Sequence, residues 1–169
     1  MVERNTTVVN PVDFTVKVVK HEVSGDNYAI YVIRVVVQGP RDIAFDMKDR
    51  YSSIREFQAL VKRNIGSADG CPPFPKKKYI GNMERAFLTQ REQQLSLFLQ
   101  TFLSHPLVKV CPLVPVYFAS KAVGTESKAA VKSLVEYMSG SSKPTPQRFT
   151  GQIDHKGGSK AISNDHSGN

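Results

Sequence analysis

The chain has 169 residues, 40% hydrophobic and 22% charged, which suits one domain with its own core and excludes a wholly disordered polymer. Its formal net charge of +8 directs it toward anionic partners such as lipid head groups, nucleic acid or acidic proteins. The longest strongly apolar stretches, around Ile30 to Val37 and Val108 to Phe118, fall far short of the roughly 20 residues that cross a bilayer, so membrane contact is expected only from the surface.

Residues 1–11 are expected to be a flexible N-terminus, and structure begins at Val12. Val12 to Val23 and Asn27 to Val37 are rich in Val, Ile, Tyr and Thr, and Phe14, Val16 and Val18 alternate with Thr15 and Lys17, a strand pattern. Ser24, Gly25, Asp26 and Asn27 supply turn dihedrals between them, so the pair forms an antiparallel hairpin. After Gly39 and Pro40, a third strand follows from Ile43, Phe45 and Met47.

Beyond Tyr51 the period changes. Ile54, Phe57, Leu60, Val61 and Ile65 share a helical face, and Ser53 with Glu56 matches a capping box, so a helix starts near Ser52 and stops at Gly66. The stretch from Ser67 to Lys78, with three prolines and three consecutive lysines, is expected to be irregular and partly polyproline-like. Thr89 and Glu92 form a second capping box ahead of Leu95, Phe98, Leu99, Phe102 and Leu103, a helix ending before Pro106. Leu107 to Ala119 reads as a short closing helix. The expected fold is α+β: a three-stranded antiparallel sheet packed on three to four helices, with a Pro-rich loop, over residues 12–120. Residues 121–169 form a tail with a short amphipathic helix over 126–138, carried by Ala130, Leu134, Tyr137 and Met138, and a disordered remainder.

Enzyme chemistry finds no foothold: the chain has no GxSxG, HExxH, P-loop or GxGxxG motif. His21, His105, His155 and His166 are scattered, and neither catalytic residues nor a metal or other cofactor are expected. Cys71 and Cys111 lack CxxC spacing, and no apolar run follows the polar start, so a cytosolic chain is expected.

What remains is a basic constellation: Arg50 and Tyr51 at a strand-to-helix junction, Pro72-Pro73-Phe74-Pro75-Lys76-Lys77-Lys78, and Arg91, expected in the first turn of the second helix. Helix starts present free N–H groups and a positive dipole end, arginine donates a planar fork to phosphate, and lysine adds a point charge. Tyr51 offers a ring on which a sugar or inositol can lie.

The order Arg50-Tyr51-Ser52, Pro72-Pro73-x-Pro75-x-Lys77, Gln90-Arg91-Glu92-Gln93-Gln94-Leu95 and Leu103-Ser104-His105-Pro106 resembles the PX (phox homology) domain family of the sorting-nexin kind, over roughly Val12 to Ser120. The resemblance implies binding of phosphatidylinositol 3-phosphate: Arg50 on the 3-phosphate, Tyr51 against the inositol, Lys77 on the 1-phosphate and Arg91 on the 4- and 5-hydroxyls. Ser52, Lys76 and Lys78 are accessory candidates, and Tyr79, Ile80 and Met83 are candidates for insertion into the bilayer. It further implies a peripheral protein of endosomal or other phosphoinositide-bearing membranes, acting in sorting or vesicle traffic and held also by the anionic surface. A protein partner is expected on the tail.

Two departures stand out: Asp49 where many members carry a second base, and Ile54 where an aromatic is common. Asp49 motivates an alternative, a protein-interaction scaffold with a degenerate lipid pocket. Pro72-x-x-Pro75-x-Lys77 also fits a minimal SH3-ligand pattern. Nucleic acid is not expected as a partner, because no basic helix or stacked aromatic set accompanies the charge.

Overall fold

The computed structural model of the chain describes residues 12–39, 42–66 and 69–140. The expectations of a flexible segment at 1–11 and of disorder beyond residue 140 lie outside the described residues. Three strands, β1 (Asp13–Val23), β2 (Ala29–Gln38) and β3 (Ile43–Arg50), form an antiparallel sheet in the order β1-β2-β3. The β1–β2 hairpin closes at Ser24 to Asn27, where Asn27 takes φ 59° and its N–H donates to the Ser24 carbonyl at 3.0 Å. Asparagine tolerates this left-handed conformation better than most side chains do.

Alternation places Phe14, Val16, Val18, Ile33, Val35, Val37, Phe45 and Met47 on one buried face of the sheet. The helices α1 (Tyr51–Ile65), α2 (Arg85–Ser104), α3 (Pro106–Lys109) and α4 (Leu113–Lys121) complete that core with Ile54, Phe57, Val61, Leu95, Phe102 and Phe118 among others. Each large apolar side chain buried in this way stabilises the fold by about 1.5–3 kcal/mol. The α+β architecture matches the sequence expectation. The closing segment is two helices, because Pro112 interrupts Leu107 to Ala119 and serves as the N-cap of α4.

Helix starts differ from the capping-box reading. α1 begins at Tyr51 with Arg50 as N-cap and no side-chain cap, so Ser53 lies inside the helix and accepts from Lys121 Nζ at 3.0 Å. α2 begins at Arg85, one turn earlier than Thr89. The Thr89 hydroxyl donates back to the Arg85 carbonyl at 3.0 Å, and Glu92 sits 2.6 Å from His21 Nδ1 instead of reaching back to a cap. Gly66 closes α1 at φ 69°, where a glycine avoids the left-handed penalty.

A fifth helix, α5 (Gly124–Met138), buries Val131, Leu134 and Met138 in the same core. It approaches along the free edge of β3: Met47 bridges Ala122, the Val123 N–H donates to the Asp46 carbonyl at 3.0 Å, and the Asp46 N–H donates to Ser127 Oγ at 3.0 Å. The opposite edge of the sheet is covered by α2, where Gln100 Oε1 accepts from the Val16 N–H at 2.7 Å and Ser96 Oγ from the Val18 N–H at 2.8 Å. Gln100 Nε2 also donates to the Phe14 carbonyl at 2.9 Å.

Candidate functional site

The strand β3 runs directly into α1, so Arg50 is at once the last strand residue and the N-cap of the helix. Its side chain is exposed and rests over the Tyr28 ring, 4.9 Å from the centroid. Tyr28 follows the hairpin turn, so β2 and α1 meet where the N-terminal N–H groups of α1 open.

The Pro-rich loop is irregular, as expected, and is pinned by side chains at successive carbonyls. Gln58 Nε2 donates to Pro72 O at 3.2 Å, the Tyr51 hydroxyl to Pro75 O at 2.5 Å, and an Arg91 terminal nitrogen to Lys76 O at 2.9 Å. Phe74 turns inward between Tyr51 and Phe98, with centroids 5.0 and 4.8 Å away. These contacts hold the lysine run beside Tyr51.

Arg91 lies in the second turn of α2, not the first, so it gains nothing from that helix start; the dipole reasoning holds for Arg50 alone. It is 5% exposed, and its guanidinium stacks between Tyr51 at 4.0 Å and Phe87 at 4.4 Å. Among the described residues its Nε has no hydrogen-bond partner. One face of the Tyr51 ring, the surface expected to carry an inositol, is therefore occupied by Arg91.

Together these groups enclose a cavity of about 260 Å³ lined by Arg50, Tyr51, Ser52, Lys77, Lys78 and Arg91, with Met83 at its rim. Lys76 and Tyr79 lie outside it, in an adjoining concavity, and Ile80 lines neither. Tyr79 and Ile80 are 78% and 87% exposed, with Lys77 Nζ 4.9 Å from the Tyr79 centroid. Lys78 is 3.7 Å from Glu84 and stacks on Phe87.

Sequence reasoning missed Tyr28 and Tyr31, which wall the cavity from β2. Their aromatic character in a strand was legible, but their closeness to Arg50 depends on sheet register: Ile30 pairs with Arg50. Burial pushes the Tyr31 hydroxyl up to about 12, against the opposing influence of the Arg91 charge.

Asp49 does not line the cavity, although Tyr31, its partner across the sheet, does. It is 5% exposed on the core side of β3, where Oδ2 accepts from the Tyr117 hydroxyl at 2.5 Å and Oδ1 from Lys121 Nζ at 3.0 Å and the Arg50 N–H at 2.9 Å. It braces α4 against the junction, with the Lys121 ammonium beside its charge.

Residues 38–121 match the family model of the PX domain. The chain carries a PX domain. The match begins at the end of β2, while β1 and the rest of β2 complete the same sheet. The chain is also similar to sorting nexin-13 of Homo sapiens, 29% identical over 94 residues, and of Mus musculus, 28% over 89. These alignments cover 55% and 52% of this chain but 10% and 9% of the relatives, so the chain spans about a tenth of the curated proteins it matches. Among solved structures, a designed CISK-PX domain matches 55% of this chain and 87% of its own at 24% identity, with TM-score 0.46. The mouse SNX19 PX domain with bound sulphate ion matches 58% and 89% at 18% identity, with TM-score 0.39. PX domains are non-catalytic modules that bind phosphoinositides and serve membrane traffic at the membrane surface. Among the described residues no group of His, Cys, Asp or Glu is arranged to hold a metal, and no helix is long and apolar enough to cross a membrane.

Proposed function

We propose that this PX domain binds phosphatidylinositol 3-phosphate and brings the protein to endosomal membranes. The observation that carries the reading is the convergence of Arg50, Lys77 and Arg91 on one cavity of about 260 Å³ beside Tyr51, in a segment that belongs to a phosphoinositide-binding family. Arg50, exposed at the start of α1, suits a phosphate dianion that also faces the helix N–H groups. Lys77 supplies a second charge across the opening. Arg91, buried and walled by two rings, suits hydroxyl acceptors of the inositol, since its Nε has no partner among the described residues.

Tyr51 acts first as a platform for Arg91, and the inositol meets what remains of its ring. Tyr79 and Ile80 beside the opening enter the bilayer, with Met83 at the rim. Against the scaffold alternative stands the ion pair that Asp49 makes with Lys121, which offsets the carboxylate charge that motivated it. A protein partner on the tail remains part of the proposal.

The test is sedimentation with vesicles that each carry one phosphoinositide, comparing the wild type with Arg50→Ala and Lys77→Ala. Selective binding to 3-phosphate vesicles, lost in both variants, is expected. Binding that follows only total anionic charge, or survives Arg50→Ala, overturns the assignment.

A further inference from the structure

Phe87 stands in the first turn of α2 and does not line the head-group cavity, yet two of the cations that do line it rest on its ring. The Arg91 guanidinium lies 4.4 Å from the Phe87 centroid and the Lys78 ammonium 4.6 Å. Arg91 follows Phe87 by one helical turn on α2, so the two side chains are neighbours on its surface. Lys78 comes from the end of the Pro-rich loop. One aromatic ring thereby joins a helix-borne cation to a loop-borne one.

The two cations differ in their other partners. Arg91 is 5% exposed, donates to the Lys76 carbonyl at 2.9 Å and lies 4.0 Å from the Tyr51 centroid. Lys78 has only Glu84 besides the ring among the described residues, at 3.7 Å, in an exposed pair that water screens. Glu84 does not line the cavity, so without the ring the remaining partner of this lysine stands outside the site.

A cation over an aromatic face is attracted by the ring quadrupole, most strongly where water is excluded. For long side chains that attraction acts through order: a lysine or arginine already set toward the cavity has less rotamer freedom to lose when an anion arrives. The apparent affinity of a site falls in proportion to the fraction of molecules whose groups stand ready. We propose that Phe87 is a positioning residue for head-group binding, whose ring holds Arg91 and Lys78 ready at the cavity without touching the ligand. The proposal rests on the head-group reading of that cavity.

The experiment uses the full chain with Phe87 replaced site-specifically by mono-, di- and trifluorophenylalanine, which keep the ring and drain negative charge from its face. Phe87→Trp, with a stronger ring face, and Phe87→Leu, with none, complete the series. Affinity for soluble short-chain phosphatidylinositol 3-phosphate should fall stepwise with fluorination, to a loss of roughly threefold to tenfold at three fluorines. Phe87→Leu should lose at least as much, and Phe87→Trp should hold wild-type affinity. The same fluorinated residues at Phe118, edge-to-face with Phe14 and Phe45 in the core, should leave affinity unchanged. Constant affinity through the Phe87 series shows packing alone and overturns the proposal, as does an equal decline in the Phe118 series. The fluorinated series decides the matter even where Phe87→Leu fails to fold. If the wild type shows no preference for the 3-phosphate lipid, the head-group reading fails and this inference with it. A preference that stays constant through the Phe87 series fails this inference alone.

Discussion

Arg50 and Arg91 point into the same cavity from opposite energetic positions. Arg50 is exposed and leans on Tyr28, so Arg50→Ala should abolish selective vesicle binding and leave the urea midpoint unchanged. Arg91 is a buried cation compensated by two rings and one carbonyl, with an unpartnered Nε among the described residues. A buried cation without a counter-ion carries a desolvation cost that an apolar side chain of similar volume does not. Arg91→Met is therefore expected to lose binding while the urea midpoint holds or rises, and a clear fall in midpoint would count against the cost assigned to that guanidinium. Asp49 yields a third expectation. Asp49→Lys restores the basic residue type common in the family, yet the side chain faces Lys121 and Tyr117 in the interior. It should destabilise the domain by about 3 kcal/mol or more in urea denaturation and bring no gain in head-group affinity.

At the scale of elements, α5 is held by Val131, Leu134 and Met138 against the core, and Leu134 is fully buried. Leu134→Ala should cost about 2–5 kcal/mol, read from the denaturation midpoint, because α5 contributes to the same core as the sheet. The helix α4 carries a pH response through Tyr117, whose hydroxyl is pushed well above the ordinary tyrosine value by burial and then by Asp49. Tyr31 is raised to about 12. In the unfolded chain tyrosines ionise near pH 10, so both groups favour the folded state below that pH and the contribution is lost as pH rises beyond it. The thermal midpoint should fall between about pH 10 and 12, and less steeply in Tyr117→Phe, which removes one of the two groups. Most elements were legible from period 2 and period 3.6 alternation, down to the hairpin turn and the helix near 126–138, but the division of the closing segment into α3 and α4 was not. Helix starts were not: Ser53, Thr89 and Glu92 have the residue types of caps but are used by Lys121, by the backbone of Arg85 and by His21. Those partners are tertiary or internal to the helix, and no local pattern reports them. Arg50, Tyr51, Lys77 and Arg91 were readable as an ordered motif, and the structure brings all four to one cavity, which Tyr28 and Tyr31 join only through strand register.

For the whole molecule, the cavity, the lysine run and the exposed Tyr79 and Ile80 share one end, and a net charge of +8 adds attraction toward an anionic surface. Ile80 is almost wholly exposed, so its burial in a bilayer would add to binding without touching the head-group chemistry. Ile80→Ala should weaken binding to phosphatidylinositol 3-phosphate vesicles by about tenfold while affinity for the soluble short-chain lipid stays constant. Equal loss on both ligands would place Ile80 in the pocket instead. The sheet has a different consequence. Gln100 and Ser96 occupy backbone groups along one border, and the segment from Ala122 to Ser127 occupies the other. A neighbouring polypeptide that tried to join as a fourth strand would find those ladder positions already taken. A protein docking on this domain would be left with helices and loops to grip, and the sheet is guarded against the strand-to-strand stacking by which sheets with bare borders coalesce into fibres.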